Sequence, residues 1–246
     1  MMLILQLLEF MDVAPAMPVL FVLSIVISLT LHEYMHAVSA SQFGDKTPEF
    51  MGRVTLNPVK HIDPLGAVVF LTLGFGWAKP VPTNPFNYKK ISPKIGHGLV
   101  ALAGPMANVF LAILCALLIL GLAVMTGEST ELLYPLFDLN LDYLFSTYNP
   151  FIVNGVIFLN FMLIVNILTF AFNMIPVPPL DGSKILQSLT LNKYSIKFWE
   201  VFQEYGPIIL FSLLLLGTLT RGVFNPLILF VDIFSMPINL LIGLII

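Results

Sequence analysis

The sequence predicts an all-α polytopic membrane protein with about five to six transmembrane helices. Three observations carry that prediction. Of 246 residues, 58% are hydrophobic and 10% charged, against roughly 45–50% and about a quarter in soluble domains. Mean hydropathy is +0.94. Several apolar runs reach the roughly 20 residues that a helix needs to cross the hydrocarbon core. Other classes are excluded by the same composition. Eleven basic and 14 acidic residues leave a net charge of -3, which offers no electrostatic footprint for nucleic acid. The single cysteine, Cys115, lies in the apolar run from Leu111 to Leu120. Neither a disulfide framework nor a cysteine-based metal cluster can form within one chain.

The opening run, Met1 to Met11, is too short to span and has no Lys or Arg before Lys46. It lacks the basic start of a signal peptide and reads as an interfacial segment. Three stretches are long enough to cross: Met17 to Ala40, Gly98 to Met125 and Phe151 to Phe172. Two further spans are expected near the end, from Gly206, extended back through Trp199 and Phe202, to Leu219, and from Val223 to Ile246. Lys and Arg stay on the cytoplasmic side of a membrane. Residues 127–149 hold Glu128, Glu131, Asp138 and Asp142 with no basic residue, whereas residues 41–97 are basic and residues 183–205 hold Lys184, Lys193 and Lys197. The acidic loop is therefore expected outside. Pro64 to Trp77 is apolar, has basic segments on both sides and is too short to cross, so a re-entrant or interfacial element is expected there. Before it, Arg53-Val54-Thr55-Leu56 alternates polar and apolar, which predicts a short strand.

Ionisable residues inside a span cost roughly 2.5–3.5 kcal/mol each by insertion scales, so they demand a reason. The first span contains His32-Glu33-Tyr34-Met35-His36. Positions i and i+4 share one helix face, so His32 and His36 present two imidazoles to one ion. Glu33 sits about 100° round the helix, placed to handle a proton without ligating. With this chain's His and Glu content, a shuffled sequence would show the pattern about 0.002 times. A catalytic zinc takes three protein ligands. Asn173-Met174-Ile175-Pro176-Val177-Pro178-Pro179-Leu180-Asp181-Gly182 follows the third span, and its prolines stop the helix. Loop charges bring this segment to the same side as His36, so Asp181 is a candidate third ligand. It is equally a candidate N-cap for a helix starting at Gly182. His61 and His97 are competing ligands. Asn108 reads as an interhelical hydrogen-bonding residue.

These residues resemble the site-2 protease family of intramembrane zinc metalloproteases. His32-Glu33-x-x-His36 is similar to its first signature and Asn173-x-x-Pro176-x-x-x-Leu180-Asp181-Gly182 to its second. Gly52-Arg53-Val54-Thr55-Leu56-Asn57-Pro58 and Ala103-Gly104-Pro105-Met106-Ala107-Asn108 also look like family stretches. The resemblance implies a single protease domain over residues 1–246, with a catalytic core at about 17–195 and additional spans at about 200–246. It implies Zn2+ held by His32, His36 and Asp181, with Glu33 as catalytic acid/base and Asn173 near the scissile carbonyl. It implies a membrane-associated β-hairpin at about residues 50–80. Residues 127–149 are too few for the PDZ domain of some relatives, so a minimal member is expected. Expected partners are a membrane protein or peptide substrate and the lipid bilayer, with the active site nearer the cytoplasmic face of the cell membrane. The alternative is a metal-ion transporter or a non-catalytic membrane adaptor, since His and Asp inside spans also build ion pathways.

Overall fold

Backbone N–H and C=O groups in hydrocarbon find no water, so long apolar segments satisfy them internally as helices. The computed structural model describes residues 14–73, 76–126, 141–220 and 226–245, and it is helical throughout its apolar stretches. In chain order the helices are α1 (Met17–Phe43), α2 (Thr47–Phe50), α3 (Pro64–Leu73), α4 (Pro93–Thr126), α5 (Leu141–Thr147), α6 (Pro150–Asn173), α7 (Asp181–Thr190), α8 (Ile196–Leu219) and α9 (Pro226–Ile245). Five of them, α1, α4, α6, α8 and α9, contain segments long and apolar enough to cross a membrane. The expected segment Met1 to Met11 and most of the acidic loop lie outside the described residues.

Helices α1, α4 and α6 pack against one another and form the core. One cluster joins Met17 and Phe21 of α1 to Val153, Val156, Ile157 and Phe161 of α6. Another joins Ala112, Cys115, Ala116 and Ile119 of α4 to Met162 and Leu163 of α6 and Ile242 of α9. Alanines dominate the buried side of α4, among them Ala101, Ala107, Ala112, Ala116 and Ala123. Small residues let helix backbones approach where water cannot drive association. Helix α8 joins through Leu210, which packs with Ile175 and Leu180 of the α6–α7 connection.

The expected strand at Arg53 to Leu56, and with it the β-hairpin, is corrected: no strand occurs among the described residues. The chain reverses at Gly52, whose φ of 63° is left-handed. Beyond it, polar groups are used in turns rather than ladders. Arg53 Nη2 donates to the Lys79 carbonyl. His61 Nε2 donates to the Thr55 carbonyl at 2.7 Å, and Asn57 Oδ1 caps the short 3-10 turn Pro58–Lys60 by accepting from Val59 N–H. Among the described residues, extended pairing is limited to an isolated antiparallel bridge, Ile62 with Ala78. Helix α3 has 10 residues, too few to cross, with Asp63 Oδ1 accepting from Gly66 N–H at its start.

Asp45 ties this polar region to the end of α1. It is fully buried and accepts from Thr47 N–H at 3.0 Å, Thr47 Oγ1 at 2.6 Å, Asn84 N–H at 2.6 Å and Asn87 Nδ2 at 3.0 Å. Lys89 N–H also donates to the Phe43 carbonyl, the last of α1. These contacts lay residues 84–90 across the open end of the helix that carries His32 and His36.

Candidate metal centre

His32 and His36 stand one turn apart on α1, and both are buried. Asp181 reaches them from the first residue of α7, because Pro176, Pro178 and Pro179 end α6 and force a seven-residue connection back towards α1. The N-cap reading of Asp181 is corrected: Leu180 occupies the N-cap position, without a side-chain cap, and Asp181 is itself helical. Its carboxylate turns inward. Oδ2 lies 3.1 Å from His32 Nε2 and 3.1 Å from His36 Nε2, and the two ring nitrogens are 3.0 Å apart. Lys184 Nζ donates to the other oxygen, Oδ1, at 2.9 Å. His61 and His97 are not part of this group. Among the described residues, these three are the group of ligand-type side chains able to share a metal ion.

Helix α4 builds the wall behind them. His36 Nδ1 lies 2.7 Å from the Val100 carbonyl, which only accepts, so the proton sits on Nδ1 and the Nε2 lone pair faces Asp181. His32 Nδ1 is held in the same way by Asn108 Oδ1 at 2.6 Å. Between these two contacts lies Gly104. A Cβ there would fall against His36 Nε2 and within 2.7 Å of His32 Nε2, so only glycine leaves the space beside the nitrogens open. The donor set fits zinc. Two ring nitrogens and a carboxylate oxygen converge within 3.1 Å of one another, while each ring's other nitrogen is already committed to an acceptor on α4.

Glu33 is buried next to His32 on α1. It also acts across to the polar loop: burial pulls the Arg53 guanidinium below its usual range, and the Glu33 carboxylate opposes that shift. Asn173 is the last residue of α6, and its amide Nδ2 donates to the Thr169 carbonyl at 3.0 Å. The residues that sequence reasoning missed are Val100 and Lys184. A backbone carbonyl has no sequence signal, whereas Lys184 stands at i+3 from Asp181, a spacing that meets on a helix.

Helices able to cross a membrane, packed around a buried His-His-Asp group with a Glu beside it, define a membrane-embedded metallopeptidase class. The comparisons agree: the chain belongs to peptidase family M50, which matches over residues 20–216. It is 37% identical over 188 residues to YwhC of Bacillus subtilis (strain 168), proposed by its name to be a zinc metalloprotease, covering 76% of each chain. It is 30% identical to Rip2 of Mycolicibacterium smegmatis, named in the same way, over 80% of this chain and 67% of that one. Zinc metalloprotease MJ0392 of Methanocaldococcus jannaschii is 24% identical over 83% of this chain and 44% of its own length. No solved structure gives a significant match.

Proposed function

We propose that the chain is an intramembrane zinc metalloprotease that hydrolyses peptide bonds in or near transmembrane segments of membrane proteins. The observation that carries this reading is the convergence of His32 Nε2, His36 Nε2 and Asp181 Oδ2 within 3.1 Å. These atoms would hold the zinc. When bound, the ion supplies Lewis acidity that lowers the pKa of a water and polarises a carbonyl. The chain's own groups do the rest. Glu33 accepts the proton of the attacking water and returns it to the leaving nitrogen. Lys184 occupies Asp181 Oδ1 and so aims Oδ2 at the histidines. The Asn173 amide has a second hydrogen beyond the one given to Thr169, available to a developing oxyanion.

Among the described residues, the buried polar side chains of α4 and α6 are Asn108, Asn160 and Asn166, none of them charged. A transporter needs a path of ionisable groups along its spans, so the protease reading is the better supported. The basic residues beside α1 and α7 favour a site nearer the cytoplasmic face of the cell membrane. Glu33→Gln tests the chemistry: purified protein should keep zinc and helix content but lose cleavage of single-span membrane-protein substrates. Retained proteolysis would remove Glu33 from the mechanism.

A further inference from the structure

A histidine binds a metal only through a nitrogen that carries no proton, so its tautomer decides whether it is a ligand. For His36 the tautomer follows directly from the Val100 carbonyl. His32 faces a side-chain amide instead, and an amide presents either its oxygen or its NH2. If Asn108 turned its NH2 to His32, Nδ1 would have to accept, and the proton would move to Nε2, into the space between His36 and Asp181.

The structure fixes the choice one residue further out. Asn166 of α6 is fully buried, and its Nδ2 lies 2.7 Å from the Met162 carbonyl and 2.9 Å from Ser28 Oγ of α1. The Met162 carbonyl only accepts, so that end of the Asn166 amide is its NH2. Its Oδ1 must then face Asn108, 2.7 Å from Nδ2, and it accepts that hydrogen. Asn108 Oδ1 is thereby left to accept from His32 Nδ1. Each step follows from donor and acceptor chemistry, and Asn108, Asn166 and Ser28 are all fully buried, where polar groups are paired rather than left open.

We propose that Asn166 is a positioning residue for the metal centre: through Asn108 it holds His32 as the Nδ1–H tautomer, with Nε2 free to bind zinc. The assignment rests on His32 being a zinc ligand, and the relay itself is testable without metal. Groups that hydrogen-bond the outer nitrogen of a ligating histidine contribute about 10–100-fold to metal affinity. Asn166→Leu should weaken zinc binding by about that factor, measured by chelator competition. In the metal-free protein, 15N shifts of the His32 ring should move from Nδ1–H towards a mixture of tautomers.

A purely structural role for Asn166 is separated by a double substitution. An ionised Asp at position 108 has acceptors only, so in that form it cannot turn a donor to His32. Asn108→Asp should keep zinc and the Nδ1–H tautomer, and in that background Asn166→Leu should lose its effect on the tautomer. An equal loss of affinity in both backgrounds, or an Asn166→Leu ring still fully Nδ1–H, would overturn the relay. Should Asn108→Asp fail to fold, the ring shifts of Asn166→Leu and Asn166→Ala decide alone. His32→Ala tests the underlying assignment: stoichiometric zinc in that variant would sink the ligand role of His32, whereas the ring shifts still report on the relay.

Discussion

At the scale of single residues, the site is set by what a side chain excludes as much as by what it binds. Gly104 is the clearest case, because a methyl there would sit against both ring nitrogens. Gly104→Ala should therefore remove most bound zinc while leaving helix content by circular dichroism unchanged. Zinc at wild-type stoichiometry in that variant would mean that the ion lies on the other side of the histidines. Asp181→Ala should likewise release the metal, and His61→Ala should not, since the His61 ring is committed to the Thr55 carbonyl. The placing of His32, Glu33 and His36 together on one helix was legible because spacing on one helix is a local property. Asp181 needed the resemblance to a family, because nothing local distinguishes a ligand from an N-cap. The orientation of Asn108 was beyond reach, since it depends on Asn166, 58 residues away.

At the scale of elements, the polar region between α1 and α4 is where sequence reading failed. The alternation of Arg53 to Leu56 has the period of a strand, but a strand also needs a neighbour with free backbone groups. Here Arg53 and Thr55 are drawn into turns by Lys79 and His61, so the period carried no pairing information. Asp45 holds the same region to α1. Burial alone would raise its pKa, but the Asn84 amide, the Thr47 hydroxyl and amide and the Asn87 side chain outweigh that and hold it below the ordinary carboxylate range. A carboxylate depressed in the folded state stabilises above its unfolded pKa, and the contribution fades as pH falls through the folded value. Asp45→Ala should lower stability at neutral pH by about 2 kcal/mol, the scale of hydrogen bonds to a charged group. Below the unfolded value of 3.8 the difference from wild type should shrink. A difference that stays constant down to the lowest accessible pH would show that the Asp45 charge contributes nothing.

For the whole molecule, the spans were legible because a membrane imposes length and hydropathy together. Helix α4 nevertheless starts at Pro93, ahead of the apolar run beginning at Gly98, since Lys94 and His97 extend the helix into a polar region that hydropathy does not register. Side of the membrane is a separate property, carried by loop charge rather than by packing. If α1 and α6 both end on the cytoplasmic face, Thr147, at the end of the short helix α5 that starts with Leu141 and Asp142, faces outside, while Ser92 before α4 and Lys193 after α7 face inside. All three are exposed. Single cysteines at these positions, in a Cys115→Ala background, should react differently with a membrane-impermeant thiol reagent. Position 147 should label in intact cells, and positions 92 and 193 only after the membrane is opened. Ser92 is the discriminating site: α3 has too few residues to cross, which keeps Ser92 on the same side as the end of α1. Labelling of position 92 in intact cells would require a crossing between α1 and α4, and it would reverse the inferred side of every later helix.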